Sequence, residues 1–573
     1  MEPDRQTQDR GTSDDTPRAA LVNSLAKDEK QPEYEPESMK LWTIMLGLYL
    51  SVFLVALVND KSENLKRRTQ ADITFQDRTI ISTAIPQITN QFGSIQDIGW
   101  YGSSYMLTAA SSSLVFGRVY KFYSTKWVFL GSMVVFEVGS ALCGAAPNSI
   151  SLIVGRAIAG LGSSGIFTGG MMIIVQLIPL HKRPIYYSIV GAVFGFSSII
   201  GPLLGGAFTD RSTWRWCFYI NLPIGALAML AMVLLLRTET TNEEPVTLSA
   251  INRLDPIGTL CFVPSIVCLV LALEWGGTTY PWSNPKVIGL LVTSIVLFIA
   301  FCIVQVIKPD TATVPVRIIT QRSIISGVLY MLMITGSMMV IIYFLPIWFQ
   351  AVKGSSAIHS GISTIPVVLS LVLFSILSGG FTQRIGYYVP SMILSPILAA
   401  TGAGFMTTFT LSTSHPSWIG FQCLYGFGIG TALQTSSLAA QTVLHRNDIS
   451  TGMALMFFGQ QLGGAIFVAV AQNVFTSGLL YKLTGIPGLD PEMILHAGTT
   501  ALRTVVPAQD LSIVVDAFNY SITRTFFVAV GLSAGTLPAA LIMEWNDIRE
   551  KGENGKQGSG VNVEAAEVHD AKV

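Results

Sequence analysis

Long apolar stretches alternate with short polar ones along this chain from about Leu41 to Trp545. Each stretch is long enough for a helix that crosses a bilayer, since a hydrocarbon core about 30 Å thick needs roughly 20 apolar residues. A helix also satisfies its own backbone hydrogen bonds in lipid. The pattern predicts an all-α polytopic membrane protein with fourteen transmembrane helices. The first begins at Leu41 and is interrupted after Leu57, and the others are predicted over residues 98–116, 127–146, 150–177, 187–208, 216–236, 256–274, 287–307, 324–349, 361–380, 389–411, 418–443, 452–476 and 525–543.

Composition supports a membrane location and excludes other classes. Half of the residues are hydrophobic, 12% are charged and the mean hydropathy is +0.53, which is too apolar for a water-soluble domain. The net charge is zero, so we expect no nucleic-acid partner. The cysteines and histidines lack metal-ligand spacing, and no GxxxxGK[ST] phosphate loop occurs, so we expect no cofactor and no ATP hydrolysis. Residues 1–40 and 546–573 are predicted to be polar tails.

Basic residues in the loops predict the orientation of the helices. Cytoplasmic loops carry an excess of Lys and Arg. The loops on the side of the two tails hold Arg118, Lys121, Lys126, Lys182, Arg183, Arg237, Arg253, Lys308, Arg317, Arg322, Arg384 and Arg446, whereas the opposite loops hold fewer. Both tails are therefore predicted to be cytoplasmic. Asn519 would then begin an outward-facing glycosylation sequon close to the last helix.

The first apolar stretch contains an anomaly. After Leu57 come the polar residues 58–76 with four basic side chains, and the apolar run resumes after Asp77. Deleting these 19 residues would leave one uninterrupted helix, and codons for Val58 and Gln76 can supply the GT and AG that bound a short intron. We hypothesise that residues 58–76 are an unspliced intron in a gene model. The alternative is a genuine polar loop.

A glycine-rich pattern marks the fifth predicted helix. Small residues let helix backbones approach closely, and a Gly-Pro step kinks a helix without bulk. Generic glycine-rich packing is the alternative explanation. The whole pattern resembles the antiporter motif of the major facilitator superfamily; its residues are Gly191, Gly195, Gly201, Pro202, Gly205 and Gly206.

Further segments are similar to motifs of the fourteen-helix drug:proton antiporter branch of that family. Residues 77–86 resemble its first-helix motif, and residues 153–162 resemble its fourth-helix motif, which contains a buried arginine, here Arg156. Residues 214–223 open the sixth helix as in fungal members. The loop after the second helix is similar to the conformational-switch motif, with Gly117, Arg118 and Lys126. Lys121 stands where many members have aspartate.

The resemblance implies two six-helix bundles, residues 41–237 and 311–545, joined by a linker, residues 238–310, that carries the seventh and eighth helices. Residues 117–126 and 380–386 would be equivalent positions in the two bundles.

Three ionisable residues are predicted to lie within the membrane. A charge at the bilayer centre costs about 2.5–3.5 kcal/mol, so such a residue usually faces a cavity or a partner. Asp77 is the first candidate for proton coupling, because burial can raise a carboxyl pKa toward neutrality. Arg156 would be a fixed charge that biases nearby carboxylates. Glu137 is either a second coupling residue or a structural hydrogen-bonding residue.

Amides and methionines in the C-terminal half are candidates for contact with a substrate. Either they line an adaptable cavity for a polar, uncharged compound, or they pack between helices. They are Gln350, Gln434, Gln441, Gln460, Gln461, Gln472, Tyr330, Met331, Met333, Met338, Met339, Tyr343 and Phe344.

The resemblance implies proton-coupled efflux of a small amphipathic compound, such as a fungal secondary metabolite, mycotoxin or drug, by alternating access. We expect a monomer in the plasma membrane, with the vacuolar membrane as the alternative. Its expected partners are the small-molecule substrate, protons and the lipid bilayer. Uptake of an iron chelate or an amino acid is a second possibility, and a transporter-like nutrient sensor a third. We expect no enzyme, since no nucleophile–base pair occurs in the predicted helices.

Overall fold

The computed structural model describes residues 38–59, 88, 91–92, 97–236, 253–277, 280–309, 311–355, 357–484, 506 and 510–549. Within these ranges the fold is all-α, and fourteen elements account for its long helical segments, one of them broken into two helices. They are α1 Ser38–Asn59, α2 Ile98–Phe122, α3 Thr125–Ala145, α4 Ser149–Leu177, α5 Arg183–Arg211, α6 Asn221–Leu235, α7 Pro256–Trp275, α8 Pro285–Ile307, α9 Arg322–Ala351, α10 Ile365–Ile385, α11 Val389–Met406, α12a His415–Ala432 with α12b Thr435–Val443, α13 Ile449–Leu483 and α14 Leu511–Ile542.

Local sequence signals fix several helix ends. Asn148 begins α4 by accepting a hydrogen bond from the Ser151 amide, and Asn284 does the same for α8. Proline occupies the first turn of α5, α7, α8, α10, α11 and α12a, where its missing N–H costs nothing. Gly386 ends α10 with φ +91°, a left-handed conformation that glycine adopts without strain.

Apolar side chains on the outer surface of the helices match a lipid environment. Eleven helices of the described part are long and apolar enough to cross a membrane. The extreme case is α8, where a stripe of branched side chains is exposed on one face: Ile288, Val292, Ile295, Ile299 and Ile303. A water-soluble protein would not expose such a stripe, whereas lipid covers it without cost.

The helices pack as two groups of six. Helices α1–α6 form one bundle and α9–α14 the other. Two seams join the bundles, one where α5 packs on α10 and one where α2 packs on α13. Helices α7 and α8 pack on each other, and α7 also contacts α2 and α13, so it covers the second seam. Exchanging the bundles exchanges the two seams, as expected for repeats related by a pseudo-two-fold axis.

The predicted loop over residues 477–524 is too long. Helix α13 runs on to Leu483, and α14 begins at Leu511. Polar residues near the start of α14 lowered its apparent hydropathy, yet they are accommodated in the helix. Arg524 lies over the ring of Tyr520, with its guanidinium carbon 5.0 Å from the ring centroid, and Asn519 hydrogen-bonds to Trp348 of α9 and to the chain after α11.

Two further boundaries differ from the prediction. The tenth predicted helix over residues 361–380 is a short helix, Ala357–Ser363, followed by α10. The twelfth is broken between Ala432 and Thr435. A hydropathy pattern does not distinguish a broken helix from a continuous one, because both bury the same side chains.

Residues 60–87 lie outside the described residues, and α1 runs to Asn59. The intron hypothesis for residues 58–76 and the role of Asp77 therefore stay predictions.

Candidate functional site

A cavity lies between the two bundles. Helices α1, α2 and α5 line it from one bundle, and α9, α10, α12 and α13 from the other. Its described lining residues include no acid or base and are mostly apolar: Ala56, Met106, Phe194, Gly195, Thr335, Met338, Met339, Ile342, Val368, Leu371, Leu433, Gln434, Gln460, Gln461 and Gly464. An apolar wall with a few polar groups is typical of a small-molecule site.

Among the described lining residues, the polar side chains come from the second bundle. Thr335, Gln434 and Gln460 are buried, with exposed fractions of 2%, 6% and 6%. The Thr335 hydroxyl, both ends of the Gln434 amide and the Gln460 amide oxygen have no hydrogen-bond partner within the described residues. Unpaired buried polar atoms are rare because they lose their bonds to water. These atoms are available to a ligand.

Two of the predicted methionines, Met338 and Met339, and three of the predicted glutamines line this cavity. The other candidates serve packing. Tyr330 is fully buried and donates a hydrogen bond to the Met392 carbonyl. Gln472 reaches only Thr476 on its own helix.

An ion-pair cluster joins the two bundles at one end. We call this end the tail side, because α1 begins there and α14 ends there. Lys121 at the end of α2 lies 2.9 Å from the Asp448 carboxylate, which precedes α13. Arg317 holds the same carboxylate through two bonds of 2.6 and 3.0 Å. The lysine belongs to the first bundle and the aspartate to the second, so this pair ties the bundles together.

A second set of polar contacts closes the tail side beside α5. Arg183 donates to the carbonyls of Val175 and Ile178, which would otherwise be unpaired at the end of α4. Its third bond, of 2.9 Å, crosses to the Gln441 amide oxygen in α12b, and Gln441 donates to the Tyr187 hydroxyl. Gln441 is therefore an inter-bundle contact rather than a cavity residue.

Glycines of the predicted motifs lie at the seams. A β-carbon on Gly117 would overlap the side chain of Ala454 on α13. On α5, a β-carbon at Gly191 would come within 2.9 Å of the Ser375 hydroxyl, and one at Gly195 within 2.6 Å of Val372. These glycines let α2 approach α13, and α5 approach α10. Gly201 is buried, and the surroundings of Pro202, Gly205 and Gly206 lie outside the described part.

The two other motif residues of the predicted loop bind backbone carbonyls. Arg118 donates a 2.9 Å hydrogen bond to the carbonyl of Arg253, in the linker before α7. Lys126 donates to the carbonyls of Val233 and Leu236 and so caps the end of α6. The loop thus connects α2 with the linker and α3 with α6.

Arg156 is fully buried in the first bundle. Its Nε donates to the Tyr101 carbonyl, and its guanidinium lies 4.4 Å from the ring centroid of Tyr105. The two terminal nitrogens have no hydrogen-bond partner within the described residues. Arg156 is not among the residues that line the cavity.

Glu137 is 8% exposed and faces Gly225 of α6, within the same bundle. Its two carboxylate oxygens have no hydrogen-bond partner among the residues that are described. It is not among the cavity-lining residues either. The coupling roles proposed for Arg156 and Glu137 stay predictions, because Asp77, the first candidate for proton coupling, lies outside the described residues.

Asn519 lies within α14, and both ends of its amide are engaged. Trp348 donates a 2.8 Å bond to its oxygen, and its nitrogen donates to the Phe409 carbonyl at 3.1 Å. A helical, hydrogen-bonded asparagine is poorly placed to accept a glycan.

Asp448 was not predicted from the sequence as a functional residue. Arg183 and Arg317 were predicted only as basic residues of the tail-side loops. An acidic residue in a basic loop gives no signal of its own, because its partner Lys121 lies 327 positions away.

Comparisons with known proteins agree with this architecture. A family model for the Major Facilitator Superfamily matches residues 73–468. The "MFS-type efflux pump MFS1" of Arthroderma benhamiae is 47% identical over 548 residues, covering 94% of this chain and 98% of that protein. The "Efflux pump aflT" of Aspergillus parasiticus is 44% identical, covering 89% and 97%. The crystal structure of the human organic anion transporter MFSD10 has the same fold, with a TM-score of 0.53 at 14% identity, covering 87% of this chain and 100% of that one. The chain is a multi-pass membrane protein that belongs to the Major Facilitator Superfamily.

Proposed function

We propose that this chain exports a small amphipathic compound from the cytoplasm by alternating access, in exchange for protons. One observation carries the proposal: a largely apolar cavity lies between two six-helix bundles that polar contacts hold together at one end. A cavity between two bundles can open to either side if the bundles rock against each other.

The contacts on the tail side are of a kind that can break and re-form. They are ion pairs and hydrogen bonds at the ends of helices, where water can replace each partner when the bundles separate. The positive-inside pattern supports a cytoplasmic tail side. The conformation described would then be closed toward the cytoplasm, the state from which a compound leaves the cell.

Relatives support the direction and the cargo. Proteins at 47% and 44% identity over nearly the whole chain bear the names of efflux pumps. We propose a fungal secondary metabolite, mycotoxin or drug as the substrate and the plasma membrane as the location, with the vacuolar membrane as the alternative. The apolar cavity fits such a compound better than it fits an amino acid, whose charged groups would find no counter-charge among the described lining residues.

Proton coupling would rest on the first bundle. Arg156 supplies a buried positive charge with two nitrogens that lack a hydrogen-bond partner among the described residues, and the cost of such a charge falls when a carboxylate lies nearby. Asp77 is our candidate for that carboxylate. Its protonation would remove the attraction and favour a change of conformation.

Transport into inside-out plasma-membrane vesicles tests the proposal. With the vesicle interior acidified, the wild type should accumulate tritiated cycloheximide, an uncharged amphipathic probe, and a protonophore should abolish the accumulation. Asp77→Asn should remove the gradient-driven part while the amount of folded protein stays unchanged. Equal accumulation with and without the gradient would refute proton coupling, and equal accumulation in vesicles without the protein would refute export of this probe.

A further inference from the structure

The break in α12 places an amide in the cavity. Helix α12a ends at Ala432, α12b begins at Thr435, and Gln434 at the junction has φ −107° and ψ 1°, outside helical geometry. Transporters commonly place substrate sites where a transmembrane helix is interrupted. Here the Gln434 side chain at the interruption lies in the wall of the cavity.

Among the described residues of this wall, Gln434 is the buried side chain with the most unused hydrogen-bonding capacity. It is 6% exposed, and neither its nitrogen nor its oxygen has a partner within the described residues. A side-chain amide offers two donors and an acceptor. Leaving them all unpaired in a buried position is unfavourable unless a ligand or water binds there.

Two neighbouring elements contribute unpaired atoms to the same wall. Thr335 of α9 presents its hydroxyl and Gln460 of α13 its amide oxygen. With Gln434 they form what we call the amide cluster, built entirely from the second bundle. It contains donors and acceptors but no charge.

Gln434 also borders a second cavity, toward the tail side. This cavity lies between α5, α10 and α12 and is lined by hydroxyls and small residues, among them Ser188, Ser375, Ser378 and Thr431. Gln434 lies in the lining of both cavities. Its amide is therefore shared by the walls of the two cavities.

We infer that the amide cluster is the recognition site for the polar end of the substrate, and that it selects uncharged molecules carrying a carbonyl and a hydroxyl or imide group on an apolar body. The inference rests on the proposed function. A cationic compound would bury its charge against neutral amides, whereas a carbonyl and an N–H or O–H group would complete the unused bonds.

Equilibrium binding to the purified full chain, without a gradient, tests this separately from transport. Tritiated cycloheximide carries an imide, a ketone and a hydroxyl and is uncharged, and rhodamine 6G is the cationic comparison. The wild type should bind cycloheximide, and Gln434→Leu should weaken its affinity about tenfold. Gln434→Glu, of the same shape, should shift the preference toward rhodamine 6G.

Two controls separate recognition from structure. Gln472→Leu, on α13 but not in the cavity lining, should leave the affinity unchanged. Gln434→Leu should keep or raise the unfolding temperature of the empty protein, because it removes an unpaired buried amide; a structural amide would lower it. Unchanged binding in Gln434→Leu, equal losses in both variants, no binding of cycloheximide by the wild type, or preferential binding of rhodamine 6G would overturn the inference. If cycloheximide binds but is not driven by the gradient, the proposed function fails and the inference stands.

Discussion

Removing the Asp448 carboxylate should open the tail side. The carboxylate is 4% exposed and accepts a 2.9 Å bond from Lys121, whose side chain is 18% exposed. Asp448→Asn keeps the shape but loses the charge. Lys121 then faces Arg317 without a counter-charge in the closed state, while water solvates both cations in the open state.

The size of the effect follows from that difference. A hydrogen bond to a charged group contributes about 1.5–3 kcal/mol. Because Lys121 keeps partial contact with water, we take about 2 kcal/mol for the loss of its bond to Asp448 in the closed state. A change of that size raises the ratio of tail-open to tail-closed molecules roughly 30-fold. Lys121→Met should act in the same direction, and the double variant should add little to Asp448→Asn, since both remove the same inter-bundle pair.

Alkylation of a cysteine in the tail-side cavity measures this population. Ser188→Cys lines that cavity and is a change of similar size; the six native cysteines are replaced first. The alkylation rate should rise with Asp448→Asn by the factor given above. Asp547→Asn is the matched control: the hydrogen bonds from Arg549 hold the pKa of Asp547 below its usual range, yet this pair lies within one bundle. An unchanged rate, or an equal rise in the control, would refute the reasoning.

Three other predictions follow from the contacts. Gly117→Ala should favour the tail-open state in the same alkylation assay, because the added methyl overlaps Ala454, and Ala454→Gly should reverse the effect; no reversal would place the clash elsewhere. Asp255→Ala should lower the free energy of unfolding by about 3 kcal/mol in denaturant titrations, because its carboxylate accepts one hydrogen bond from the Gly258 amide at the start of α7 and three that join α7 to residues 305 and 313; a loss below about 1 kcal/mol would contradict this. Asn519→Gln should leave electrophoretic mobility unchanged in the presence or absence of a glycosidase; a mobility shift would show that the sequon is used. The same variant should lower the unfolding temperature, because the Asn519 side chain loses two part-buried hydrogen bonds.

Much of the fold could be predicted from the sequence because lipid imposes it. Each helix must be long and apolar, so a hydropathy prediction overlaps each long helix of the described residues, and the glycines of α5 pointed to close packing. The sequence also listed Gln434 and Gln460 among six candidate amides, because an amide in an apolar helix is unusual, but it did not separate them from amides that pack between helices. The prediction failed where polar residues satisfy one another inside the fold, as Asn519 does at the start of α14.

The contacts that join the two bundles on the tail side could not be predicted from the sequence. The Lys121–Asp448 pair and the Arg183–Gln441 bond each join residues in different bundles. Which polar residues meet across a seam depends on the packing of every helix between them. In the sequence these residues look like other polar residues of loops and helix ends, and only the folded structure shows that they pair.

The central claim is that one cavity opens alternately to the two sides. Pairs of spin labels at exposed positions measure this directly: Lys182→Cys with Asn447→Cys on the tail side, and Ser212→Cys with Ser412→Cys on the opposite side. As pH and cycloheximide concentration are varied, the tail-side distance should lengthen whenever the opposite distance shortens. Distances that stay fixed under every condition, or that lengthen together, would contradict the account.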